Sequence, residues 1–232
     1  MNKRWYGIGL GLVALAAVAA AAIQEVTVKW APKAGTTYTY KATGEFDFQG
    51  MNITFTARTI DKVLSVDDGK VTIESAQVNG KAVFEGQEID VPDAPPLTTV
   101  FASTGEVLEV RGEMADESSV RVANLQSFRY PEGPMTVGKT WEVNIPADAK
   151  KGVVAASGKW TVAGFEKVGN YDTMKVTFEV NETEGAEKAG MSGTVWVDVT
   201  DGVMVKFDGN LKNFPFAQAP APMNGKFKLE RE

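Results

Sequence analysis

The residues in this sequence with the capacity for chemistry are carboxylates, lysines and tyrosines, and of these the carboxylates recur as pairs. Asp67 and Asp68 stand before Gly69, and Asp198 stands with Asp201 before Gly202. Two neighbouring carboxylates can hydrolyse a glycoside as an acid and base pair, or bind a calcium ion. Their surroundings speak for turns instead. Asp-Gly between two runs of alternating apolar residues supplies the positive φ angles of a tight hairpin, and neither site has the alternating oxygen ligands of a calcium loop. The 232-residue chain contains no histidine and no cysteine. That excludes serine-histidine and cysteine-histidine nucleophiles, imidazole-based zinc sites and the usual proton shuttle at neutral pH. The sequence therefore gives no catalytic, cofactor-binding or metal-ligating residue, and the expectation is a protein that is not an enzyme and carries no cofactor.

The strongest signal stands at the start of the chain. Lys3 and Arg4 precede an almost wholly apolar run from Ile8 to Ala22 that ends in alanines. A positive segment, a short apolar stretch and small residues at Ala20 and Ala22 are the pattern of a signal peptide, 1–22, cleaved after Ala22. The run falls short of the roughly 20 residues that a spanning helix wants, so no stable membrane anchor is expected after cleavage. The expected destination is outside the cytoplasm, periplasmic or extracellular, in soluble form. Removing Lys3 and Arg4 from the 24 basic residues leaves 22 against 30 acidic ones, a net charge of −8. Such a chain is repelled by phosphate, so nucleic acid is not an expected partner. Without disulfides, the mature part, 23–232, must be held by burial alone, and its length suits one β-rich domain.

The elements that would position any site are strands. Tyr38, Tyr40, Ala42, Gly44, Phe46 and Phe48 alternate with Thr39, Lys41, Thr43, Glu45 and Asp47, which gives one apolar and one wet face. The same period returns at Met174, Val176, Phe178 and Val180, and at Val203, Val205 and Phe207 with Leu211 still in phase. Between Ile53, Phe55, Ala57 and Ile60, Leu64, Val66 the phase changes, which predicts a β-bulge near Arg58 to Ile60. Turn signals at Asp68-Gly69, Asn79-Gly80, Thr104-Gly105, Gly169-Asn170, Asp201-Gly202 and Asn224-Gly225 divide the chain into about a dozen strands. One segment has helical spacing instead, from Asp116 to about Ser127, with Asp116 as its N-cap and Tyr130-Pro131 closing it. Two proline-bearing stretches, Val91 to Leu97 and Phe214 to Met223, read as loops.

The helix separates two halves, 26–113 and 136–231, that resemble each other. Gly35-Thr36-Thr37-Tyr38 matches Gly138-Lys139-Thr140-Trp141, each opening a strand. The expected fold is mainly β: a curved antiparallel sheet of about a dozen strands, as a half-barrel, barrel or sandwich, with one short helix; the likeness of the halves reads either as two similar meanders or as the strand-turn-strand grammar that any meander shares. At roughly 4.8 Å between strands and roughly 20 Å of strand length, its apolar face is of order 1,000 Å². One short helix cannot cover that, so the sheet must curl onto itself or leave an apolar cavity. The candidate apolar-ligand face is Tyr40, Phe46, Phe48, Phe178, Val180, Phe207 and Leu211. These side chains, with Trp30, Trp141, Trp160 and Trp196, read first as core packing, with a ligand-lining face as the lesser alternative.

Val28-Lys29-Trp30-Ala31-Pro32-Lys33-Ala34-Gly35-Thr36-Thr37-Tyr38-Thr39-Tyr40 and Val137-Gly138-Lys139-Thr140-Trp141 resemble exported bacterial domains of unknown function. In architecture such domains are broadly similar to the lipoprotein-carrier half-barrels, where a curved sheet holds acyl chains beneath a helical lid. The resemblance carries over no functional residue, and fold does not fix function. The expected function is a non-catalytic envelope protein acting as a structural or protein-interaction module. The alternative is a binding or carrier protein that holds an apolar ligand or lipidated partner in a half-barrel cavity.

Overall fold

The computed structural model describes residues 25–48, 50–216 and 221–232; the expected signal peptide, 1–22, lies outside the described residues. The chain forms β1 (Thr37–Phe48), β2 (Met51–Asp67), β3 (Lys70–Phe84), β4 (Gln87–Val91), β5 (Leu97–Ala102), β6 (Val107–Arg111), α1 (Glu117–Gln126), β7 (Thr140–Ile145), β8 (Ala156–Val168), β9 (Tyr171–Glu182), β10 (Gly190–Asp198), β11 (Met204–Phe214) and β12 (Met223–Arg231). All twelve strands belong to one curved, open antiparallel sheet, in the order β6-β5-β3-β2-β1-β12-β11-β10-β9-β8-β7, with β4 beside β3. Within each half neighbouring strands pair as a meander, except that β5 pairs with β3 farther along rather than with β4, and β1 pairs with β12 to join the two halves. The sheet would be a full barrel if β6 paired with β7. The helix stands between those strands in sequence and packs on β6 and on β10.

The strands obey the alternation of their side chains. In β1, Tyr38, Tyr40, Ala42, Gly44 and Phe46 are buried, while Lys41, Glu45 and Asp47 are exposed. Pairing then carries this inner face across the sheet: Phe46 lies opposite Ile53 and Gly225, and Gly44 opposite Phe55 and Phe227. Rings fold down over inner-face glycines. A Cβ at Gly44 would strike the ring of Phe46, and one at Gly209 the ring of Phe207, so these aromatics lie flat against the sheet and fill the concave side.

The two meanders open alike. Gly35 and Gly138 both have positive φ, +80° and +86°. The Gly35 amide donates to Val63 and the Val63 amide to Thr36; the Gly138 amide donates to Val162 and the Val162 amide to Lys139. The same glycine-led turn thus starts each half.

Two of the six predicted turns are not turns. Asn79-Gly80 lies within β3, where two residues oppose the single Ala57 between the pairs Thr56↔Lys81 and Arg58↔Val78. It is a bulge in which Asn79 takes φ +55°, a conformation asparagine tolerates in bulges as well as in turns. The bend expected at Arg58 to Ile60 therefore resides on the neighbouring strand, and a second bulge falls at Leu64. Asn224-Gly225 lies inside β12, where Gly225 faces Phe46 and leaves room for its ring.

The helix begins where expected. The Asp116 carboxylate accepts from the Ser119 amide at 2.7 Å, and the Ser119 hydroxyl returns toward the Asp116 amide, a capping box. It ends at Gln126, a few residues before Tyr130-Pro131. Arg121 clamps it to the sheet with two 2.8 Å bonds to Glu182, whose second oxygen also takes the Ala189 amide. The Glu182 side chain is 2 % exposed. Removing one partner strands the other charge, at a cost of about 3–5 kcal/mol for a buried pair; since Arg121 is partly exposed, the lower end applies. Arg121→Ala is expected to lower unfolding stability by about 3 kcal/mol and Asp116→Ala by about 1 kcal/mol, both measured by urea titration.

Candidate functional site: an uncovered apolar wing of the inner face

Among the described residues, the helix covers one wing of the inner face, and beside the other Phe216 meets the ring of Phe46 edge-on at 5.0 Å. Leu125 and Phe128 pack over Trp160, Phe178, Met191 and Phe207, and the cavity left between them is about 50 Å³. Small-molecule sites run to roughly 300–1,000 Å³, so this wing is a filled core. Val28 packs in the same core, while Trp30 lies over the β1–β3 side against the cluster of Tyr38, Tyr40, Val63 and Val71, stacks on Tyr130 at 5.6 Å and meets Phe101 edge-on.

The other wing is built from β1 to β4. Register places Met51, Ile53 and Phe55 beside Phe48, Phe46 and Gly44. Phe84 and Ala82 follow opposite Ile53 and Phe55, and Ile89 and Val91 opposite Ala82 and Gly80. Met51, Ile53, Phe55, Phe84 and Val91 are half-buried, and Ile89 is 54 % exposed. Four strands at about 4.8 Å and same-face positions over about 20 Å make a patch on the order of 400 Å². That is the size at which an apolar patch on a monomer is often functional.

Of the seven residues expected to form an apolar-ligand face, Phe46, Phe178, Val180, Phe207 and Leu211 are buried in the main core. Tyr40 is buried in a second cluster with Tyr38, Val63, Val71 and Val203. Phe48 is half-buried at the rim of the open wing, opposite Met51. Sequence reasoning passed over Phe84, Ile89 and Val91. Their signal was present in the phase that Ile53, Phe55 and Ala57 set, but it needed the β3 bulge to bring Gly80, Ala82 and Phe84 into register.

Toward the other end, the inner face turns polar. Asp61 lies opposite Tyr38 and Ser75, and the Ser75 hydroxyl donates to its carboxylate at 2.7 Å. Burial pushes the Asp61 carboxyl above the usual range, against the smaller opposing pull of Ser75. The Tyr40 hydroxyl donates to the Met204 carbonyl, and burial raises its pKa well above the ordinary value. The Arg231 guanidinium lies 4.5 Å from the rings of both Tyr38 and Tyr171, an arrangement that favours the cation.

The acidic pairs serve turns. Asp68 has φ +50° in the β2–β3 hairpin, while Asp198 and Asp201 accept from the Thr200 and Val203 amides. Among the described residues, no three His, Cys, Asp or Glu side chains converge to hold a metal. A shallow recess of about 340 Å³ between β6, the start of α1 and the β7–β8 loop has Glu117 and Lys151 on its walls. No helix of the described residues is long and apolar enough to cross a membrane.

No protein-family model and no curated protein matches the sequence. Among solved structures, a lipovitellin chain from a study of lipid-protein interactions is similar at 11% identity and a TM-score of 0.48; 86% of this chain spans 25% of that one. A protein assigned as exported, with a YmcC-like fold, from Bacteroides fragilis is similar at 13% identity and a TM-score of 0.37, covering 89% of this chain and 99% of its own. A DUF1329 family protein from Desulfovibrio piger follows at 10% identity and a TM-score of 0.24, covering 85% of this chain and 84% of its own.

Because the folded-state pKa of Asp61 lies above its unfolded value, the folded protein holds the proton more tightly. Stability therefore falls as pH rises from the unfolded carboxylate value through the raised folded one, and stays at the lower level above it. Asp61→Asn is expected to raise the melting temperature at neutral pH and to flatten its dependence across that window, checked by calorimetry at a series of pH values.

Proposed function

We propose that this chain is a non-catalytic binding protein of the bacterial envelope, exported and then folded, that holds an apolar ligand or the lipid-modified part of a partner on the open wing of its curved sheet. The observation that carries the reading is the contrast between the wings: one sheet, one continuous apolar inner face, and a helix that covers only the β8–β11 side.

Magnitudes set the kind of binding. Covering about 400 Å² of apolar surface gives roughly 10 kcal/mol at about 25 cal/mol per Å². Association costs of roughly 4 kcal/mol and upward leave at most about 6 kcal/mol, a dissociation constant of roughly tens of micromolar or weaker. Such a ligand exchanges readily, as a carrier requires. The lining is apolar side chains without a converging polar group, so it accepts a range of chains.

A second reading, a structural or protein-interaction module, is favoured by one observation: β4 is paired on one side only, and β6 and β7 stand at the ends of the strand order. Those edges offer backbone groups to a partner.

The test is titration with the neutral dye N-phenyl-1-naphthylamine, whose fluorescence rises in apolar surroundings. The wild type is expected to bind it at roughly tens of micromolar. Ile89→Asp, at an exposed position that the fold tolerates, is expected to weaken binding about tenfold or more, and Thr56→Asp on the outer face to leave it unchanged. Equal dye binding by wild type and Ile89→Asp would overturn the reading.

A further inference from the structure

The open wing has a charge and an edge as well as an apolar floor. Between Asp47 and Thr56, and between Lys81 and Pro95, the chain carries Asp47, Glu85, Glu88, Asp90 and Asp93 against the single cation Lys81. That lysine is already paired with Glu88 at 2.5 Å. Asp93 is engaged by the Asn79 amide. Within β4 the sides alternate: Ile89 and Val91 continue the apolar face, while Glu88 and Asp90 project from the opposite one beside Lys81 and Val83. All of Gln87 to Asp90 is exposed. The strand is bonded to β3 alone, because β5 joins β3 farther along, at Lys70 to Ser75.

Resting on the proposed binding role of this wing, we infer that its occupant is an extended segment of a partner polypeptide in which apolar and basic residues alternate, added as a strand along the free edge of β4. Its apolar side chains continue the floor beyond Ile89 and Val91. Its Lys or Arg side chains fall on the other face, directly across from Glu88 and Asp90, where opposite charges stabilise a strand pair. Its backbone meets the unpaired amides and carbonyls of β4. A lipid satisfies the floor but has no backbone to offer the edge, and an anionic headgroup is repelled by the rim. A second copy of the chain would set Glu88 and Asp90 against their own kind, so the same carboxylates guard the edge against self-pairing.

Three synthetic peptides test this against the full mature chain: one alternating lysine with valine, one alternating glutamate with valine, and one with the lysines and valines of the first in two blocks. The alternating basic peptide is expected to bind at least tenfold more tightly than either of the others, and to weaken with added salt. Glu88→Lys combined with Asp90→Lys, both exposed, is expected to abolish that preference while leaving N-phenyl-1-naphthylamine binding intact. Methylating alternate backbone nitrogens of the peptide is expected to weaken it further, on one of the two alternating sets. Equal binding of the basic and acidic peptides, or indifference to the charge reversal, would overturn the inference while the apolar reading stands on the dye. Loss of the inference together with dye binding that ignores Ile89→Asp would overturn both.

Discussion

The pairing of β1 with β12 is the contact on which the rest of the fold depends. It runs from Tyr40↔Arg231 to Asp47↔Asn224 and brings together strands from nearly opposite ends of the described chain. Without it the two meanders would be separate sheets, each with a long apolar face and a bare central edge. With it, one inner face continues from β4 to β8. The junction is tied further by the amide of Glu232, which donates to Thr39, and by its side chain, which meets Arg58 at 2.6 Å. Exposed ion pairs of that kind add little; the ladder and the packing of Phe46 over Gly225 hold the seam.

Once the two meanders share a face, the one ten-residue helix among the described residues lies over the second meander and leaves the β4 side of the first beyond its reach. A helix of that length is about 15 Å long, enough to lie across part of one wing. Arg121 and Glu182 decide which, by holding α1 over the end of β9. The site is thus a consequence of where the helix is held: among the described residues it covers the β8–β11 side and not the β4 side. Residue choice follows the same division. Large rings fill the covered wing, whereas the uncovered one ends in the short strand β4, whose Glu88 and Asp90 give it a charged flank.

Much of the fold was legible in the sequence because alternation is a local property. Tyr38 to Phe48 and Met174 to Val180 announce their buried faces without help from any other strand, and Asp116 announces the helix. Asn79-Gly80 misled because asparagine with positive φ serves a bulge and a turn equally well, and only the pairing of Thr56 with Lys81 and Arg58 with Val78 distinguishes them. The apolar face was legible as a set of residues, but not which of them a helix would hide. Phe178 and Phe207 carry the same pattern as Phe55 and Phe84; what separates them is the placement of Leu125 and Phe128, a long-range fact. Burial in a sheet is set by what lies above it, and the period of a strand says only which side that is.

The β1–β12 seam also orders events in time. A chain that emerges from its N-terminal end, from a ribosome or through a translocon, presents β1 first and β12 last. Until the final strand arrives, β1 has one empty edge, and Tyr40, Ala42, Gly44 and Phe46 wait with half their neighbours missing. Closing so long a loop makes folding slow relative to a helical protein of the same size. The interval leaves apolar strands open to pairing with other chains. The contact that unifies the finished molecule is therefore the last of its strand pairings to become available as the chain is delivered.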